Sequence, residues 1–112
     1  MIPTTVRIFA CAVAVDMRKS FDGLALVARQ VLNEDPQSGA LFVFTNKRHN
    51  RLKVLWFDDN GYCILYKRVA RALFRMPPAS DSDDAKVRIN GAVLAEIIAG
   101  ATPENVRRRR SA

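Results

Sequence analysis

Histidine, cysteine, glycine and proline are all scarce in this 112-residue chain: one His, two Cys, five Gly and five Pro. Each shortage excludes something. Cys11 and Cys63 stand 38 residues before and 14 after His49, which is no metal-ligand spacing, so neither a metal nor a cofactor is expected. Both cysteines sit in apolar runs. That rules out a disulfide scaffold and fits thiols kept reduced in the cytoplasm. No apolar run approaches the ~18 residues of a membrane span. The start, Met1-Ile2-Pro3-Thr4, does not read as a signal peptide. Apolar and aromatic residues make up 49% and charged residues 26%, a globular balance that excludes disorder across the whole chain. At ~100–200 residues per domain, the expectation is a single domain over 1–106 and a basic, flexible tail over 107–112.

What is plentiful is positive charge. Eighteen Lys and Arg face eleven Asp and Glu, a net +7. Residues 45–75 hold Lys47, Arg48, Arg51, Lys53, Lys67, Arg68, Arg71 and Arg75 against Asp58 and Asp59, which is +6. Arg107 to Arg110 contribute a further +4, so the rest of the chain sums to −3. Charge localised in this way favours a polyanionic partner. Four adjacent arginines repel one another, so the tail is expected to fray and to attract phosphate without reading sequence.

The periodicity gives an α+β class. Val6–Val15 reads as a largely buried strand. Asp16 is placed to cap a helix over about 17–33, whose apolar stripe is Met17, Phe21, Leu24, Ala28 and Val31. Gly23 lies inside it, where a small residue would let the helix approach a strand closely. After the turn residues 33–39, a three-strand meander is expected over Ala40–Phe44, Leu52–Phe57 and Tyr62–Lys67. Asn60-Gly61 supplies the central pair of its second turn. The meander and the N-terminal strand should form a small antiparallel sheet packed with two helices. Residues 68–76 extend the last strand or form a short helix through Val69, Leu73 and Met76. A polar acidic loop over 79–84 precedes a short strand, Lys86–Ile89. Asn90 then caps a second helix that Gly100 stops, and Thr102-Pro103-Glu104 is placed to open one further turn.

Catalytic patterns are weak. Asp58 and Asp59 are neighbours on a strand and point to opposite faces, so they suit a turn better than a shared metal. Nothing groups Asp16, Asp22, Asp58 and Glu96 as a metal-dependent nuclease would require. Cys11 and Cys63 lack the open, positive surroundings of a reactive thiolate. No enzyme activity and no catalytic residue is therefore expected. The basic residues are better organised. Lys47, Arg48 and Arg51 concentrate donors at a hairpin tip, and Lys53, Lys67 and Arg68 extend the patch as candidate nucleic-acid contacts. Trp56, Tyr62 and Tyr66 are interleaved with them, a composition that pairs phosphate contact with base stacking, although strand aromatics more often pack in a core. Arg18 and Lys19 stand at a helix N-terminus against the dipole, which marks them as candidate partner contacts. The alternative for Arg18 is an i, i+4 salt bridge to Asp22.

These residues also carry a resemblance. Asp16-Met17-Arg18-Lys19, Phe21-Asp22-Gly23-Leu24, Asp35-Pro36 and Ser38-Gly39-Ala40-Leu41-Phe42-Val43-Phe44 follow in order. Asn46, Arg51-Leu52-Lys53, Leu55-Trp56-Phe57-Asp58, Gly61 and Leu65-Tyr66-Lys67-Arg68 complete the series. Over roughly 6–76 the chain resembles the TnpB-type accessory proteins of the IS-sixty-six insertion-sequence family. Val15 replaces a more usual polar residue, and Asp59 a more usual Gly. The resemblance implies a bacterial mobile element in which a small, non-catalytic protein accompanies a separate, larger transposase. The expected partners are element DNA and that transposase, and the expected place is the cytoplasm, on the nucleoid when bound to DNA. The competing reading is an interaction module that docks on the transposase without touching DNA. A homodimer through a free sheet edge stays open.

Overall fold

The computed structural model describes residues 5–79 and 84–102. The 107–112 tail, most of the acidic loop and the turn after Thr102 fall outside those residues. The chain opens with β1 (Ile8–Cys11), crosses over through α1 (Phe21–Gln30) and returns as β2 (Leu41–Thr45). The meander continues through β3 (Arg51–Asp58) and β4 (Gly61–Arg68). β5 (Lys86–Ile89) and α2 (Gly91–Ala99) close the fold. The strand order is β4-β3-β2-β1-β5. This is an α+β fold with an open five-stranded sheet, and the second and third meander strands lie within a residue of their expected bounds.

The sheet is mixed where a wholly antiparallel one was expected. Because α1 carries the chain back along the sheet, β2 runs parallel to β1, with Phe9 beside Phe42. Their rings stack at 5.9 Å between centroids. Every other pair is antiparallel, including β1 with β5 through Ile8 and Ile89. The apolar runs of β1 and β2 are explained by burial on both faces. On one face, Phe9, Cys11, Phe42, Phe44 and Leu55 pack against Leu24, Ala28 and Leu32 of α1 and its end. On the other, Ile8, Ala10, Leu41, Val43, Leu52 and Val54 pack against Leu94 and Ile97 of α2 and against Phe74.

Several local expectations are corrected. α1 starts four residues later than the periodicity indicated, with Ser20 as its N-cap. Asp16 does not cap it. Its carboxylate accepts from the Arg18 backbone N–H at 2.9 Å and from the Arg18 guanidinium, while its carbonyl accepts from Lys19 N at 3.1 Å. Residues 16–19 thus form their own turn. Gly23 makes room for that turn rather than for a strand, since a Cβ there would meet Lys19 Cβ at 3.0 Å. The β3–β4 turn is centred on Asp59-Asn60, because Asp58 pairs with Gly61. Asp59 takes φ +52°, the left-handed region where Gly is favoured.

Residues 69–79 form neither a strand extension nor a helix. The segment is irregular, buries Phe74 in the α2-side core and leaves Leu73 exposed. It is fixed by backbone bonds from Val69 N to the Asn50 carbonyl (3.0 Å), from Phe74 N to the His49 carbonyl (2.7 Å) and between Leu73 and Ala101 (2.8 and 3.0 Å). α2 follows its sequence signals. The Asn90 side chain accepts from Val93 N at 2.9 Å, and Gly100 ends the helix at φ +78°.

Candidate nucleic-acid interface

Parallel pairing has one positional consequence: the loops that follow β1 and β2 emerge at the same end of the sheet. Arg18 comes from the first and Lys47 and Arg48 from the second. With Arg51, at the start of β3, they line one open cleft of about 590 Å³, whose other walls include Val15, Asp16, Met17 and Asn46. The cleft sits beside the N-terminus of α1. Two sets of cations that are 29 residues or more apart in sequence thereby share one surface.

The second loop is rigid for a physical reason. Asn46 Oδ1 accepts from the backbone N–H groups of Asn50 (3.1 Å) and Arg51 (3.0 Å), and its amide donates to Asn50 Oδ1 at 2.7 Å. His49 turns the chain at φ +58°. This bracket leaves Lys47, Arg48 and His49 exposed at the tip. Neither Lys47 nor Arg48 meets a carboxylate within ion-pair distance among the described residues. Desolvation therefore does not oppose their use as phosphate donors.

Arg18 is held. Its Nε donates to both oxygens of Asp16 (3.1 and 3.0 Å) and its Nη2 to Oδ2 at 2.7 Å, so the predicted bridge to Asp22 is replaced by one to Asp16. These bonds pull the Asp16 carboxyl down from its ordinary 3.8 to about 2. The Arg18 side chain is otherwise open to solvent. Arg51 donates from Nη1 to the Tyr66 hydroxyl at 2.8 Å.

Two expected contacts have other roles in the fold. Lys53 is 8% exposed. Its Nζ donates to the carbonyls of Met17 (2.8 Å) and Lys19 (2.7 Å) and lies 4.9 Å from the centroid of the Tyr66 ring. It is a strut beneath the turn that carries Arg18, not a head group at the surface. Lys67 Nζ donates to the Ile98 carbonyl at 2.7 Å, satisfying an orphan acceptor in the last turn of α2. Arg68 is exposed and stands opposite Arg51 in the β3–β4 register, at the same end of the sheet as the cleft. Lys19 is exposed near the cleft without lining it.

Of the interleaved aromatics, Tyr66 stays beside Arg51, whereas the other two are placed elsewhere. Trp56 packs against the α2-side core, and Tyr62 meets Phe57 edge-on at 5.1 Å. Asp58 and Asp59 lie at the far end of β3 from the cleft. Cys11 is buried, which raises its thiol pKa. Cys63 stands opposite Trp56 in mid-strand. Among the described residues, no three His, Cys, Asp or Glu side chains gather as a metal site would require. No helix among them is long and apolar enough to cross a membrane.

Comparison with known proteins adds a family. The family described as IS66 Orf2-like protein matches residues 6–108. The uncharacterized protein y4hO of Sinorhizobium fredii (strain NBRC 101917 / NGR234) is 35% identical over 102 residues, covering 89% of this chain and 86% of that protein. The uncharacterized protein y4jC of the same strain is 33% identical over 75 residues, covering 67% of this chain and 64% of that protein. No solved structure gives a significant match.

Proposed function

The chain belongs to the IS66 Orf2-like family of insertion-sequence accessory proteins, and from that premise we propose that it contacts element DNA through the cleft and acts beside a separate transposase without catalysing a step itself. The observation that supports this most is the convergence of Arg18, Lys47, Arg48 and Arg51 on one concave surface. Guanidinium and ammonium groups with water-exposed heads suit phosphate oxygens, and such contacts position a protein on DNA without reading bases. Aromatic rings are absent from the cleft lining, which favours phosphate contact over base stacking.

Titrating the purified chain against element-end and random duplex at several salt concentrations tests this. If about four to six phosphates are engaged, log K should fall against log salt with a slope of roughly −4 to −5. Absence of salt-dependent binding removes the reading. Equal binding to both duplexes identifies a sequence-neutral clamp.

A second reading has its own observation. An apolar groove of about 510 Å³ runs between the sheet and α2, lined by Leu41, Val54, Trp56, Leu65, Leu94 and Ile98. Of that lining, Leu65 on the edge strand β4 is exposed. A surface of this kind suits docking on the transposase. Co-purification of the transposase at high salt separates it from association bridged by DNA, since a bridge would dissolve.

A further inference from the structure

The loop over 46–50 has a second concave side. An open concavity of about 750 Å³ lies against His49 and is lined by residues 70–76 and Ala101, Arg71 and Arg75 among them. The Lys47–Arg48 tip therefore stands between two basic walls. One wall carries Arg18 and Arg51, the other Arg71 and Arg75. Arg68 lies opposite Arg51 in the strand register, one turn of chain before the second wall.

We propose that the nucleic-acid surface is a saddle: the β2–β3 tip enters a duplex groove, while the two walls meet the phosphate backbones that flank it. Resting on the DNA-contact reading above, this assigns phosphate contact to Arg71 and Arg75 and identifies the duplex rather than a single strand as the ligand.

Several observations carry it. Arg71 and Arg75 are both exposed, and neither has a carboxylate partner within ion-pair distance among the described residues. Their segment is not free to swing away, because Phe74 N donates to the His49 carbonyl and Leu73 is bridged to Ala101. The buried Phe74 anchors it from below. Cations clustered around one loop repel one another, and an external polyanion relieves that repulsion. Stacking is the weaker explanation, since the rings in the second lining are that of the buried Phe74 and the small imidazole of His49. Size agrees as well. The major groove, about 12 Å wide, admits a two-stranded β-ribbon, and the tip is the end of one.

The test compares salt slopes of duplex binding for the full chain and three double variants. R71Q/R75Q and K47Q/R48Q each remove two proposed phosphate contacts. R29Q/R88Q removes two exposed cations from α1 and β5, away from the saddle. Two lost contacts should make the slope shallower by about 1.8, so the loss of affinity between 50 and 200 mM salt becomes roughly twelvefold smaller. That change is expected for R71Q/R75Q and K47Q/R48Q, little change for R29Q/R88Q, and restoration of the slope by R71K/R75K. If R71Q/R75Q keeps the wild-type slope while K47Q/R48Q loses it, the saddle is wrong and the one-sided cleft stands. That same outcome is expected if residues 70–76 instead receive a transposase segment. If the wild-type chain shows no salt-dependent binding, the DNA-contact reading itself has failed. Tighter binding to single strands than to duplex also overturns the saddle.

Discussion

Replacing Lys53 by Met should weaken the fold far more than replacing Lys47 by Gln, although both were candidate phosphate donors in the sequence. The structure supplies the magnitude. Lys53 Nζ makes hydrogen bonds of 2.8 and 2.7 Å to the Met17 and Lys19 carbonyls. In K53M those two acceptors lose their donor, at about 1 kcal/mol each for groups that water partly reaches. Methionine keeps most of the stem's packing and removes a charge from a largely buried place, which offsets part of that loss. The net expectation is about 1–2 kcal/mol, or roughly 5–10 °C in Tm for a domain of this size. K47Q, on an exposed tip, should stay within about 0.5 kcal/mol of the parent. Urea denaturation followed by circular dichroism and by Trp56 fluorescence reads both, and the m-value should not change. A K53M midpoint equal to that of K47Q would refute the strut. So would a K53M loss of DNA affinity with full stability, which would return Lys53 to the surface role.

Asp16 should titrate near pH 2, and R18Q should return its midpoint toward 3.8, as read by NMR of the carboxyl carbon. The lowered pKa means that the contribution of the pair is fully present above the ordinary value and is lost only as pH falls through about 2. D16N removes the negative charge from the cleft and should tighten duplex binding at low salt, an effect that fades as salt screens it. D59G relieves a left-handed non-glycine residue at the β3–β4 turn and should stabilise the domain by about 0.5 kcal/mol, since the entropy of Gly offsets part of the relief. N90A removes the side-chain cap of α2 and should cost about 1 kcal/mol, measured by the shift of the urea midpoint at constant m.

The sequence was most legible where local chemistry decides. Alternation and turn residues located the meander, and Asn90 and Gly100 marked both ends of α2. It was least legible where a distant residue competes for the backbone. The apolar stripe from Met17 onward is a valid helix signal, yet the Met17 and Lys19 carbonyls are taken by Lys53, and Asp16 is occupied by Arg18. The helix accordingly starts only at Phe21. For 68–76 the spacing of Val69, Leu73 and Met76 was misleading, because Phe74 is the residue the core fully buries, while Val69 and Met76 pack against it only in part and Leu73 is exposed. The basic tip was visible as a run of charge. Arg71 and Arg75 belonged to the same run and Arg18 was a candidate partner contact, but their place beside the tip was not legible, since the parallel β1–β2 pairing and the bonds to Asn50 and His49 bring them to it. Nor does residue type distinguish Lys53 and Lys67, which act inside the fold, from Lys47, which does not.

The position of β1 bears on how the protein is made. An early segment of the chain fills an inner place in the sheet, flanked on one side by β2 and on the other by β5. During synthesis the first flank can be covered once the meander has emerged from the ribosome. The second waits until Ile89 is available to pair with Ile8. Until then an apolar strand with an unpaired row of backbone groups faces solvent, the condition under which nascent chains join edge to edge. Fragments ending before β5 should therefore aggregate even though they contain the whole meander and the basic tip. Expression yield should depend on how quickly translation proceeds through residues 80–90.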